Sequence, residues 1–401
     1  MVLRQLFLTA NSPGEVAGWL SPLVHTLRQQ EPQCKLTLIL LPCTFATGSE
    51  ARVAAQELGI EEIVAPRNYW KLLAQVRPDR RHSALLHLGG DLMYSAALVW
   101  RWKIKAWSYL WGRWWWDWAF QGYFIKDRQH LEWMRRHHLP LSKAIEVGDL
   151  VVDDVYYQME SYRQKYASLP APDPQLISFM PGSRLAEVES LAPFFLETAR
   201  IMRQSQPALR FQMVLSPFLE PSRLASALCA PPHPQAGGIQ GRLQGETLVA
   251  PGISLELVRR HQLPHLSASQ LAITIPGTKT AEAAALGTPQ LMLLPLNRPE
   301  LLPSIGLLGL LDWVPGGRRL KGQLLLHLQK KLSYLAQPNI LAQRYVVPEL
   351  IGVLTPAQVA HKALEMLAKP QELTAQRWAF HHLYTPSRGA SQAIVEIIRN
   401  S

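Results

Sequence analysis

Two glycine-containing loops in the second half of the chain carry the residue types that bind a phosphate group. They are Pro181-Gly182-Ser183-Arg184 and Gly277-Thr278-Lys279-Thr280, and Glu282 follows the second. Each loop comes after an apolar run of strand length and opens onto a helical pattern, so free N–H groups would face the loop. Arg184 and Lys279 suit phosphate oxygens, and Glu282 can accept two hydrogen bonds from a ribose diol. The pair predicts a nucleotide held by its diphosphate.

Each loop also has a simpler interpretation when it is taken alone. The first would be a tight turn whose Arg184 faces solvent. The second would be an ordinary helix start whose Glu282 interacts with the helix dipole. The presence of both loops in one α/β half is what favours nucleotide binding.

Asp91 is the candidate general base. It follows Gly89 and Gly90 at the end of an apolar run that reads as a buried strand. Ligands of open α/β sheets collect at the carboxyl ends of strands, and a carboxylate there can take a proton from a sugar hydroxyl. Helix N-capping is the alternative, and one residue can hold both roles.

The first strand-to-helix loop, Asn11 to Gly18, is a candidate phosphate or acceptor loop. It contains Gly14, Glu15 and Gly18 but lacks the full dinucleotide-binding pattern. The alternative is a capping turn, because Ser12 with Glu15 three residues later fits a capping box.

The sequence predicts no metal site and no cofactor. No Asp-x-Asp occurs, and the adjacent pairs His137-His138 and His381-His382 do not face one way on a helix. Charge on a departing diphosphate would then be met by helix N-termini and by Arg or Lys side chains.

The net charge of +11 suits three classes of partner: nucleic acid, an anionic membrane surface and an anionic substrate. Neither a basic stripe nor a nucleic-acid-binding module is present, so nucleic acid is not expected. No apolar run reaches the roughly 18 residues of a membrane-spanning helix. The longest candidate, residues 301–314, contains Pro303 and Asp312.

Residues 100 to 118 hold eight of the thirteen tryptophans, mixed with arginine and lysine. Aromatic residues beside cations suit a membrane interface. Trp107, Tyr109 and Trp111 are expected in a buried strand. The side chains predicted to contact a membrane lie in the loop beyond it and are Trp114, Trp115, Trp116 and Trp118, with core packing as the alternative.

Strand and helix patterns alternate along the chain. They predict an α/β protein with two Rossmann-like domains and a cleft between them. A proline-rich segment at 168–174 is the expected linker, and Pro231–Gly245 is expected to be a surface loop.

The chain resembles the lipid-A-disaccharide synthase family through three motifs in order. They are Pro-Gly-Ser-Arg-x-Ala-Glu-Val-Glu from Pro181, Gly277-Thr278 with Glu282, and Gln-Pro-Asn-Ile-Leu-Ala-x-Arg from Gln337 to Arg344. The order of the predicted strands agrees with that family over nearly the whole chain.

The resemblance implies a GT-B glycosyltransferase fold. It also implies an inverting, metal-independent transfer from a UDP-sugar to a lipid-linked acceptor, by a peripheral protein on the cytoplasmic face of a membrane. Asp91 falls on the catalytic base and Arg184 on an essential arginine. The donor side would comprise Gly182, Ser183, Gly277, Thr278, Lys279, Thr280, Glu282, Asn339 and Arg344. The acceptor side would include Gly14, Glu15 and Gly18.

The expected domains follow from this resemblance. Residues 1–170 would form the acceptor and membrane-side domain, and residues 171–375 the donor domain. Residues 376–401 would be a final helix that crosses back to the first domain. The expected partners are a UDP-sugar, a lipid acceptor and an anionic membrane, and a homodimer is left open.

The departures from the family lie mostly in the acceptor half. Trp19 and Tyr94 stand where the family has aspartates, and a tryptophan-rich stretch from Trp111 replaces a longer segment. Lys279 replaces a small residue on the donor side. Two alternatives therefore stay open: a UDP-sugar epimerase or hydrolase on the same fold, and a non-catalytic regulator that binds a nucleotide-sugar or lipid.

Overall fold

The computed structural model describes residues 3–43, 46–296 and 334–401. The chain forms two compact units. Unit 1 comprises Met1–Tyr157 together with Thr385–Ser401, and unit 2 comprises Gln158–Tyr384.

Unit 1 is built on a seven-stranded parallel sheet in the order β3-β2-β1-β4-β5-β6-β7. Its strands are β1 (Gln5–Ala10), β2 (Lys35–Leu40), β3 (Glu62–Val64), β4 (Ser83–His87), β5 (Lys105–Tyr109), β6 (Gly122–Ile125) and β7 (Ala144–Glu146). The helices between them are α1 (Pro13–Glu15), α2 (Ser21–Gln30), α3 (Glu50–Gln56), α4 (Tyr69–Gln75), α5 (Leu92–Trp102) and α6 (Arg128–Arg136). Helix α7 (Leu150–Tyr166) follows β7 and continues past Tyr157. A π-helix, Val16–Leu20, joins α1 to α2, and a 3-10 helix covers Trp114–Ala119.

Unit 2 has an eight-stranded sheet in the order β10-β11-β12-β9-β8-β13-β14-β15. Its strands are β8 (Asp173–Met180), β9 (Arg210–Val214), β10 (Arg242–Gln244), β11 (Thr247–Ala250), β12 (Ile253–Val258), β13 (Ser269–Thr274), β14 (Gln290–Pro295) and β15 (Glu349–Gly352). All neighbours are parallel except at the β10-β11-β12 edge. The helices described here are α8 (Leu185–Ser205), α9 (Pro221–Leu228), α10 (Gln262–Ser267), α11 (Thr278–Ala285), α12 (Gln337–Ala342), α13 (Pro356–Leu367) and α14 (Pro370–Tyr384).

The central strands are continuous apolar runs because helices cover both faces of each sheet. In β1, Leu6, Phe7 and Leu8 are all at most 1% exposed, although successive side chains point to opposite faces. In unit 2 the largest core cluster gathers around α8, with Phe179, Phe194 and Phe195 at its centre. This packing fixes the strand ends from which the site loops project.

Several elements differ from the sequence expectation. The predicted surface loop Pro231–Gly245 contains β10, and it covers the proline inside α8, because the Ile239 amide donates to the Pro193 carbonyl at 3.0 Å. Helix α7 was not predicted. Trp111, expected in a buried strand, is 41% exposed because β5 ends at Tyr109 and Leu110 turns the chain with a φ of 63°. The apolar run 301–314 lies outside the described residues.

The C-terminal region contains two helices where one was expected. Helix α14 ends at Tyr384, and α15 (Ala390–Asn400) begins after Gly389, which has a φ of 98°. Pro386 and this left-handed glycine interrupt the helix. The compact units consequently divide at 157/158 and 384/385, instead of at 170/171 and 375/376. The assignment of an acceptor and a donor role to them stays a prediction.

Candidate functional site

In unit 1, two candidate loops lie at the carboxyl ends of neighbouring strands. The Asn11–Gly18 loop follows β1, and the Gly89–Asp91 turn follows β4, which pairs directly with β1. Gly14 lies within the short helix α1, and Gly18 lies in the π-helix against α7, where a β-carbon would be 3.1 Å from Val151 Cγ2. The structure therefore brings Glu15 and the Asp91 turn to one edge of the sheet, as expected for a ligand-binding edge.

The Glu15 carboxyl group folds back on its own loop. Its Oε2 accepts hydrogen bonds from the Asn11 amide at 2.7 Å and the Ser12 amide at 3.2 Å. Burial raises the pKa of Glu15 from 4.5 to about 7, against these hydrogen bonds, which lower it. The carboxyl also packs against Gly89, where an added β-carbon would lie 2.0 Å from Oε2.

Asp91 is exposed at the start of α5. Its Oδ1 accepts a hydrogen bond from the Met93 amide at 2.8 Å, so the residue is the N-cap of α5. One carboxylate oxygen is thus used in capping, and the group as a whole stays accessible to a substrate hydroxyl.

Beneath the Asp91 turn lies a buried polar cluster that the sequence did not indicate. His87 Nδ1 is 3.0 Å from Thr9 Oγ1 and 2.8 Å from Ser95 Oγ. Burial lowers the pKa of His87 to about 3, so the imidazole is neutral. Thr9, at position 5 of a six-residue apolar strand, was the one polar signal in the sequence.

The tryptophan-rich loop of unit 1 forms a 3-10 helix with exposed indoles. Trp114, Trp115 and Trp118 are 60%, 49% and 54% exposed, whereas Trp116 packs partly against the core. Asp117 anchors the turn, because its Oδ2 accepts from Lys143 Nζ at 2.9 Å and its Oδ1 from the Tyr123 hydroxyl at 3.0 Å. Of the four residues predicted to contact a membrane, three are therefore exposed.

The two glycine loops of unit 2 lie side by side. One follows β8 and the other β13, which are paired strands, and a β-carbon on Gly182 would be 3.0 Å from Ile275 Cδ1. Their positive φ angles, 111° at Gly182 and 139° at Gly277, are ones that favour glycine. Both helices behind the loops, α8 and α11, point their N-termini toward this edge.

In the first of these loops, a glutamate occupies the helix N-terminus. Glu187 Oε2 accepts from the amides of Ser183 at 2.8 Å and Arg184 at 2.9 Å, and Oε1 pairs with the Arg184 guanidinium at 2.6 Å. This role of Glu187 was not predicted from the sequence. Its signal was the spacing of a capping box, a glutamate three residues after the N-cap.

In the second loop, Lys279 Nζ pairs with Glu282 Oε2 at 2.7 Å, and the Glu282 side chain is only 6% exposed. Thr280 Oγ1 donates to the Gly277 carbonyl at 2.8 Å and accepts from the Gln337 amide at 3.0 Å. Thr278 is the first residue of α11. Lysine and glutamate thus form one polar pair beside the helix start.

Asn339 and Arg344, both predicted on the donor side, are not arranged as a pair of ligand-binding side chains. Asn339 is fully buried, and its amide group bonds to the backbone of Val346 and Val347 and to Glu349. Arg344 is exposed in the wall of a groove of about 670 Å³. That groove also contains Gln376, which bonds to Gln290 at the start of β14, whereas Gly277 follows the end of β13. Asn339 therefore shapes a loop, and Arg344 lies near strand beginnings.

No group of three His, Cys, Asp or Glu side chains suited to a metal ion occurs in residues 3–43, 46–296 and 334–401. No helix within those ranges is both long and apolar enough to span a bilayer.

Comparison with known proteins gives similarity in sequence and in fold. No family model matches the chain. Lipid-A-disaccharide synthase of Burkholderia mallei (strain SAVP1) is 27% identical over 226 residues, which are 56% of this chain and 47% of that protein. The enzyme of the same name from Burkholderia lata is 26% identical over 258 residues, 63% of this chain and 55% of that protein. The chain thus spans about half the length of the curated relatives it matches.

Among solved structures, the UDP-GlcNAc 2-epimerase of Neisseria meningitidis bound to UDP-GlcNAc has a TM-score of 0.59 at 13% identity, with 99% of this chain and 100% of that one covered. The Methanocaldococcus jannaschii UDP-GlcNAc 2-epimerase in complex with UDP-GlcNAc and UDP has a TM-score of 0.56 at 12% identity, with 99% and 100% covered.

The fold therefore belongs to the GT-B class of α/β proteins, with two Rossmann-like domains built on parallel sheets. This confirms the fold class predicted from the alternation of strands and helices.

Proposed function

We propose that this protein is an inverting, metal-independent glycosyltransferase that moves a sugar from a UDP-sugar to a membrane lipid or lipid-linked acceptor. The observation that carries the proposal is the pair of neighbouring glycine loops in unit 2, which have helix N-termini, Arg184 and a Lys279–Glu282 pair at one sheet edge. The names of the relatives and the nucleotide-sugars in the similar structures support it.

On the donor side, the N–H groups at the start of α11 and the positive charges of Arg184 and Lys279 would receive the diphosphate. The Arg184 side chain is 44% exposed, so it can turn from Glu187 toward a ligand. Glu282 would accept hydrogen bonds from the ribose diol, after Lys279 moves to the phosphate. The departing UDP would then be stabilised by these two cations and by the helix dipole, without a metal.

On the acceptor side, Asp91 would take the proton from the attacking hydroxyl. Its exposure gives the hydroxyl access, and its hydrogen bond to the Met93 amide fixes the carboxylate at the strand end. One displacement at the anomeric carbon inverts its configuration. Gly14, Glu15 and Gly18 would shape the adjoining loop.

The proposed membrane contact is supported by the exposed side chains on one side of unit 1. Helices α4 and α5 and the 3-10 turn pack over one core cluster, and they expose Trp70, Met93, Trp100 and three tryptophans of the turn. Residues 92–116 contain four cationic side chains and no Asp or Glu. Exposed indoles beside cationic side chains suit an anionic lipid surface, so we place the protein peripherally on the cytoplasmic face of a membrane.

A second candidate, a UDP-sugar epimerase, is favoured by a different observation. Solved UDP-GlcNAc 2-epimerases are similar in fold over nearly the whole of this chain. Such an enzyme would use the same donor loops but would need no lipid surface. A non-catalytic protein that binds a nucleotide-sugar or lipid is the third candidate, because Trp19 and Tyr94 stand in the acceptor half where the family it resembles has aspartates.

The deciding experiment incubates the protein with radiolabelled UDP-sugars, with and without a total lipid extract. A labelled glycolipid that forms only with the extract supports transfer. A free or altered sugar without lipid supports the epimerase or hydrolase. Bound but unchanged donor in both samples contradicts both enzymes and supports the regulator.

The membrane claim has its own test. We expect the triple variant Trp114→Ala, Trp115→Ala and Trp118→Ala to lose about tenfold in binding to vesicles that contain anionic lipid. Trp378→Ala is the matched control, since Trp378 is 62% exposed but belongs to unit 2. Equal co-sedimentation of the triple variant and the wild type with the vesicles would show that the loop does not contribute to membrane binding.

A further inference from the structure

The Glu15 carboxyl connects two loops of unit 1. It accepts hydrogen bonds from Asn11 and Ser12, at the end of β1. It also lies against Gly89, at the end of β4, where no β-carbon would fit. Asp91 is two residues further along the same turn. Because the carboxyl lies against this turn, we expect its protonation to affect the position of Asp91.

The Gly89–Asp91 turn has few other ties to the body of the unit. The Gly89 amide donates to the Thr9 carbonyl at 3.1 Å, and Gly90 takes a φ of 94° over the Leu41 side chain. A shift of the Glu15 carboxyl would leave Gly89 without its main side-chain contact. The turn and Asp91 would then move together.

Burial makes Glu15 titratable near neutral pH. The other titratable groups on the two strands and the turn that pack here are His87 and Asp91. His87 is buried and neutral, because burial lowers its pKa to about 3. Asp91 is an exposed acid, so neither group supplies a positive charge to an ionised Glu15. An ionised Glu15 is therefore stabilised only by the two backbone amides and by Ser12.

We propose that Glu15 is a positioning residue whose neutral carboxyl holds the Gly89–Asp91 turn in place and whose ionisation releases it. A buried anion without a counter-ion is costly, and movement of the loop toward water relieves that cost. The part of this inference that concerns activity rests on the proposed function, because it takes Asp91 as the base.

The expected consequence is a fall in sugar-transfer rate as the pH rises through about 7, the value to which burial raises the pKa of Glu15. Glu15→Gln mimics the neutral acid in shape and can still accept from both amides. The ratio of its rate at about pH 8.5 to its own rate at about pH 6 should be roughly tenfold higher than the same ratio for the wild type, whatever the absolute rate of the variant. The matched control is Glu50→Gln, since Glu50 is a buried glutamate of unit 1 that likewise accepts from two loop amides, those of Thr47 and Gly48. Glu50→Gln should leave the fall in sugar-transfer rate with rising pH unchanged.

A second measurement does not depend on activity. Hydrogen exchange of the peptide that covers 88–94 is compared between wild type and Glu15→Gln at the same pH, so intrinsic exchange rates cancel. We expect equal exchange at about pH 6 and severalfold faster exchange in the wild type at about pH 8. Gly89→Ala, which forces the carboxyl aside, should show the faster exchange at both pH values.

The two readouts separate the two claims. A wild type that processes no UDP-sugar would end the proposed function, while hydrogen exchange would still decide the role of Glu15. Equal exchange of wild type and Glu15→Gln at about pH 8, or an alkaline fall that persists in Glu15→Gln, would overturn the inference.

Discussion

Both units begin with the same device, a strand that ends in a loop on which a glutamate of the next helix folds back. Glu15 accepts from two loop amides at 2.7 and 3.2 Å in unit 1, and Glu187 does so at 2.8 and 2.9 Å in unit 2. They differ in charge balance. Glu187 pairs with Arg184 at 2.6 Å, whereas no ion pair to Glu15 occurs within the described ranges of unit 1.

The two glutamates also differ in the glycine that each contacts. Glu187 lies against Gly182 of its own loop, and Glu15 lies against Gly89 of the neighbouring strand's turn. In unit 2 the glutamate, the glycine and the arginine therefore all belong to one loop region, which suits the binding of an anionic ligand. The unit 1 loop couples two strand ends through a group that titrates. The same local motif thus forms an ion pair in unit 2, whereas we propose that it positions a turn in unit 1.

The largest expected effect distinguishes the chemical role of Asp91 in unit 1 from that of Arg184 in unit 2. Asp91→Asn should lower kcat by about 10²- to 10⁴-fold with the donor affinity unchanged, because asparagine still caps α5 but cannot accept a proton. Arg184→Met should instead weaken donor binding by about 10- to 100-fold. Steady-state kinetics and calorimetric titration with UDP check both. Retained turnover in Asp91→Asn would take the base role from Asp91.

The next effect concerns the two glycines. Gly182→Ala meets Glu187 Oε2 at 2.2 Å and also has a φ of 111°, whereas Gly89→Ala meets Glu15 Oε2 at 2.0 Å with no left-handed φ. We expect losses of about 3 and about 2 kcal/mol in unfolding free energy, measured by calorimetry. Gly59→Ala, with a φ of 63° and open space around it, isolates the backbone cost. A smaller loss for Gly182→Ala than for Gly89→Ala would contradict this account.

A third prediction uses the pH dependence of stability. Folding raises the pKa of Glu15 above 4.5, so its neutral form is favoured in the folded protein, and stability is lost as pH rises from 4.5 through about 7. Glu15→Gln should therefore be up to about 3 kcal/mol more stable than wild type at about pH 8 and equal to it at about pH 4.

The corresponding change in unit 2 should have the opposite sign. Glu187→Gln loses the ion pair with the partly exposed Arg184, so we expect it to be destabilised by about 1 kcal/mol at neutral pH. Thermal melts of both variants across the pH range test the contrast. A stabilised Glu187→Gln, or a Glu15→Gln curve parallel to wild type, would show that the two glutamates do not differ in this way.

A similarly small effect tests whether the buried Glu282 carboxylate of unit 2 needs its cation. Lys279→Met leaves the Glu282 carboxylate, 6% exposed, without its cation, and should cost about 1–2 kcal/mol of stability. Lys279→Arg keeps a cation there and serves as the control. Calorimetry without nucleotide makes the comparison, and identical stability of the two variants would show that the pair is energetically neutral.

The alternation of apolar strands and helical patterns was enough to predict the two-domain α/β fold, because parallel strands covered on both faces leave continuous apolar runs. The loops at Gly182, Gly277 and Asp91 could also be found, since glycine and capping residues mark strand ends. Strands β10 and β11 were missed because, at three and four residues, they carry little pattern. Strand β12 was missed although its six residues alternate between apolar and polar. Roles that depend on tertiary contact were not visible either: Asn339 bonds to its own loop, and Glu15 contacts a glycine 74 residues away.

The return of Thr385–Ser401 to unit 1 bears on the order in which the protein folds. Helix α15 packs against α2, and Asp153 accepts hydrogen bonds from the amides of Gly389 and Ser391, both at 2.7 Å. These residues leave the ribosome only after all of unit 2. The N-terminal unit therefore cannot complete its own structure first, and the later-synthesised unit is free to fold before it, the reverse of the usual order along a nascent chain.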